Sequence, residues 1–145
     1  MTGSASRATH SMLHRASISI RVECPPGACS CDREQLLVDP AADQRPLLLT
    51  REQELQLIAR IERVDSHADL KKVQALIRRN LGAELVIAPG PREVRTVRGI
   101  VIRLEDQPGL CRKVRQSVPA AVRRMLDARP EIAWAILDAD GLFGA

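Results

Sequence analysis

Residues 66–91 read SHADLKKVQALIRRNLGAELVIAPGP, and the two periods inside this stretch decide the fold class. Ser66 stands as a helix N-cap with Asp69 in the first turn, where a negative charge meets the positive end of the helix dipole. Leu70, Val73, Ile77 and Leu81 then recur every three or four residues, the spacing of one buried helix face. Asn80 and Gly82 suit a helix stop, because the C-terminal cap so often takes a left-handed backbone. Glu84 to Ala88 follows at once, rich in β-branched side chains and cut off by Pro89-Gly90-Pro91, which predicts a strand ending in a turn. Helix and strand so closely joined predict a mixed α+β chain.

The same signals extend in both directions. Upstream, Thr50 with Gln53 forms a capping box, and Leu55, Ile58, Ile61 and Val64 predict the buried stripe of a first long helix. Asp32 to Asp39 predicts a short helix and Pro40 to Pro46 a loop. From Ser17 to Glu23 the chain alternates, with Ile18, Ile20 and Val22 against Ser19, Arg21 and Glu23, the pattern of a half-buried strand. Downstream, Arg92 to Leu104 alternates for most of its length, with Gly99 marking a bulge or turn. Pro108 suits a helix start after Glu105 and Asp106, and Leu110, Val114, Val118, Val122 and Met125 form the stripe that follows. Pro119 removes one hydrogen bond there, so a kink or two consecutive helices are expected. Ala133 to Leu137, with Trp134, reads as a closing apolar strand.

The expected order is thus β-αα-β-β-α-β, a ferredoxin-like split βαβ arrangement with an antiparallel sheet and helices on one face. Residues 1–16 are expected as a flexible N-terminal tail and 17–145 as one α+β domain with a cysteine-rich loop at 24–31. The length of 145 residues suits a single core. That fold hosts many functions and selects none.

Composition narrows the classes. Trp134 and Phe143 are the only aromatic residues, so no platform exists for stacking bases, which counts against a single-strand RNA binder. A net charge of +4 favours anionic partners only mildly. Of the 22 basic residues three are Lys and 19 are Arg, a bias that genome base composition produces as readily as anion binding. No run approaches the ~18 apolar residues of a membrane span, and no membrane partner is expected. Met1 to Arg21 lacks a secretory apolar run; its Arg- and Ser-containing, acid-free composition overlaps with organellar transit peptides, while a tail is the plainer reading. A cytoplasmic protein with reduced thiols is expected.

The densest chemistry is Cys24, Cys29 and Cys31, spaced C-x4-C-x-C around Pro25-Pro26-Gly27. Thiolates suit zinc, copper as Cu(I), and an iron–sulfur cluster, and such a loop can wrap three sulfurs about one centre. Cys111, at the start of the last long helix, is the candidate fourth ligand. The spacing differs by one residue from the C-x4-C-x2-C of plant-type ferredoxins. Small apolar residues in a tight reduced loop, or a thiol–disulfide pair, are the competing readings.

Glu105-Asp106-Gln107-Pro108-Gly109-Leu110 resembles the strand-to-helix loop of ACT regulatory domains over about residues 98 to 138. That resemblance implies an amino-acid ligand site between subunits, although any strand-to-helix turn selects Asp, Pro and Gly. Residues 108–129 also carry six basic residues against one acid, Asp127. Arg112 with Arg123, and Lys113 with Arg124, stand eleven apart and line one helix side, a nucleic-acid-binding stripe or the solvated face of an amphipathic helix. Catalysis has little support: His10, His14 and His67 form no constellation with a nucleophile, and Asp138-Ala139-Asp140-Gly141 lacks the later Glu of a calcium loop. The leading expectation is a small, non-enzymatic binding module built on the cysteine loop. Its rivals are a regulatory or nucleic-acid module using the basic helix, and a homodimer pairing through a sheet face or edge.

Overall fold

A computed structural model describes residues 31–91 and 96–139. Helix α1 (Arg33–Val38) leads through a 3₁₀ turn at Arg45–Leu48 to α2 (Arg51–Glu62) and α3 (His67–Leu81). Strands β1 (Leu85–Ala88) and β2 (Val101–Leu104) follow, and then α4 (Arg112–Ala128) and α5 (Pro130–Ala139). The chain is therefore mixed α and β. The expected strand Ser17–Glu23 and most of the cysteine loop lie outside the described residues, as do 92–95 and 140–145.

Local chemistry sets the helix ends. Thr50 Oγ1 accepts the Gln53 N–H at 3.3 Å and Ser66 Oγ accepts the Asp69 N–H at 3.0 Å, as the capping residues predict. Gly82 closes α3 with φ 71°, a left-handed value that costs glycine nothing. Leu70, Val73, Ile77 and Leu81 are all buried. Arg60 grips Asp69 with two bonds of 2.6 and 3.0 Å, tying α2 to α3. That hydrogen-bonded guanidinium holds the Asp69 carboxyl below its ordinary range, against a smaller opposing push from desolvation.

The two strands pair antiparallel with Leu85 opposite Leu104 and Ile87 opposite Ile102. These four face the core, while Val86, Ala88, Val101 and Arg103 occupy the other face. Helix α4 is the central element, lying against both α2 and β2 with Val114, Val118, Ala121, Val122, Met125 and Leu126 buried. Helix α5 packs on α3 and α4.

Four expectations are corrected. Ala133–Leu137 is helix, not strand: Ile132, Ala133, Ile136 and Leu137 are buried at helical spacing, Trp134 faces out, and Pro130 presets the first turn. The ferredoxin-like order, which expects a strand there, is not confirmed: the described residues hold two strands. Helix α4 begins at Arg112 rather than Pro108, because Gly109 turns the chain at φ 88°. It runs unbroken through Pro119, with buried side chains on both flanking turns. The break falls at Arg129 instead, where the following proline disfavours helical backbone. Finally, among the described residues β2 spans only Val101–Leu104, while Gly99 lies in a turn, one of its two expected roles, closed by its N–H to the Thr96 carbonyl at 3.1 Å.

Candidate functional site

The loop from β2 to α4 meets the end of the cysteine segment at Cys31. Gly109, in its left-handed conformation, donates its N–H to the carbonyl of Cys31. Immediately after Cys31 the chain turns again at Asp32, whose φ of 57° is unusual for a side-chain-bearing residue but tolerated best by Asp and Asn. Two left-handed residues thus flank one hydrogen bond. The bond fixes Cys31 against the turn that ends at Cys111, two positions after Gly109.

Cys31 and Cys111 are 8% and 1% exposed and belong to the same buried cluster. Cys111 is the N-cap residue of α4, with extended backbone (φ −65°, ψ 144°) and a carbonyl that accepts the Val114 and Arg115 N–H groups at 3.1 and 3.2 Å. Cys24 and Cys29 lie outside the described residues. Among the described residues no group of three or more His, Cys, Asp or Glu side chains is arranged to hold a metal ion.

The basic stripe is divided by the fold. Arg123 points back at the protein: its guanidinium donates to the carbonyls of Ile100 at 2.6 Å and Val97 at 3.3 Å, bracing the turn before β2. Arg124 pairs with Glu62 of α2 at 3.1 Å, and Arg129 caps the end of the same helix through the Glu62 carbonyl at 3.2 Å. Arg115 lies 3.6 Å from Asp106. Arg112 and Lys113 are exposed in the first turn of α4. Of the four residues singled out in sequence, Arg112, Lys113 and Arg124 are exposed and Arg123 is turned inward.

Sequence reasoning missed a buried carboxylate. Glu54 is 5% exposed and accepts the Ser117 hydroxyl at 3.0 Å, with Arg51 at 3.6 Å from its other oxygen. It occupies the buried line of α2 with Ile61, while Leu55, the residue expected there, is 53% exposed. Burial shifts His67 downward from its ordinary value, with Lys71 adding to the effect. No helix among the described residues is long and apolar enough to cross a membrane.

Comparison with protein-family models, with curated proteins and with solved structures finds no match for this chain. Its function has to be argued from the residues themselves.

Proposed function

We propose that this chain is a small non-enzymatic binding module whose site is the cysteine loop Cys24–Cys31 closed against Cys111, holding zinc, Cu(I) or an iron–sulfur centre. The observation that carries the reading is the Gly109 to Cys31 hydrogen bond. It joins the end of the cysteine loop to the turn that delivers Cys111, the ligand whose place was hardest to justify from sequence. Burial of both residues supports it, since a thiolate centre in such a position is shielded from oxidants and contributes its binding energy to folding. The rival use of α4 as a nucleic-acid surface is weaker, because Arg123 is turned inward onto backbone carbonyls and Arg124 shares a surface ion pair with Glu62.

Metal and acid-labile sulfide analysis, with an absorption spectrum, on protein purified anaerobically without a chelating tag tests the proposal. The expected result is stoichiometric zinc, copper or iron that is lost in Cys29→Ser and in Cys111→Ser. Protein that is empty and takes up none of the three metals overturns it, as does full metal retention in a Cys29→Ser, Cys31→Ser double variant.

A further inference from the structure

We draw no further inference here: the strongest candidate, the basic side-chain cluster at the N-terminus of α4, where the buried Arg115 Nε meets no hydrogen-bond partner beside exposed Arg112 and Lys113, carries nothing because it rests on a helix N-terminus with no second observation that points to a ligand, the Arg115 side chain being 29% exposed and already faced by Asp106 at 3.6 Å.

Discussion

The Ser117 hydroxyl on α4 donates to Glu54 Oε1 on α2 at 3.0 Å, which sets a carboxylate inside a helix contact otherwise formed by apolar side chains. A buried carboxylate that loses a donor keeps its desolvation cost without the compensation. Ser117→Ala is therefore expected to destabilise by about 1–2 kcal/mol, and Glu54→Leu with Ser117→Ala by less than the two single changes together. Urea unfolding of the four proteins checks this. Strict additivity would mean that the two groups do not depend on each other.

His67 supplies a pH dependence. Burial, and to a smaller degree Lys71, holds its folded value below the ordinary 6.5. The unfolded chain then takes up the proton first as pH falls. Stability is unaffected by this group above about 6.5, declines as pH drops below that value, and levels off once the folded imidazole is itself protonated. His67→Gln should flatten this limb of the stability profile. Lys71→Gln should flatten it only partly, since desolvation is the larger cause. A direct imidazole titration that places His67 above its ordinary value would reverse the sign.

Two glycines with positive φ should respond differently to alanine. At Gly109 (φ 88°) a Cβ would land on Leu36 Cδ1 and come within 3.3 Å of Pro46 Cβ, both held in packed structure. At Gly82 (φ 71°) it would meet Asp43 Oδ2 at 2.5 Å and Arg45 Nη2 at 2.6 Å, the ends of side chains that can swing into solvent. Gly82→Ala is expected to lose about 1 kcal/mol from backbone strain alone, and Gly109→Ala about 2–4 kcal/mol because packing is added. Thermal melts separate the two. Equal losses would show that the turn at Gly109 yields as easily as a surface loop.

The helices whose ends carry caps were legible in the sequence, because Thr50 with Gln53 and Ser66 with Asp69 act over a single turn. The stripe of α3 was legible too, since all four of its apolar residues are buried. Helix α5 was not, because a short apolar run containing Ala and Trp satisfies strand and helix templates alike until burial reveals the period. Along α2 and just past its end the stripe holds at Ile58, Ile61 and Val64, but a hydrophobicity template selects Leu55 where the helix instead buries Glu54, whose partner Ser117 is 63 residues away. The candidate site shows the same division. Its cysteines are visible in sequence, whereas the contact between Cys31 and the Gly109 turn exists only once β2 and α4 are packed.

Arg123 separates a structural role from a binding one. Its two bonds, to the Ile100 carbonyl at 2.6 Å and the Val97 carbonyl at 3.3 Å, anchor the turn before β2 from the middle of α4. Glutamine is too short to reach both carbonyls, so Arg123→Gln should lose about 1–2 kcal/mol and expose the amides of Gly99 and Ile100 to exchange. Arg112→Gln, at an exposed position, should change stability by less than about 0.5 kcal/mol. Melting and binding to a duplex oligonucleotide at two salt concentrations decide between the roles. If Arg123→Gln melts like the unaltered chain but binds DNA more weakly and with a shallower salt dependence, its guanidinium contacts phosphate rather than the turn. The expected outcome is the opposite, a less stable protein whose salt dependence is unchanged, because the guanidinium is turned inward onto the Ile100 and Val97 carbonyls rather than out to solvent.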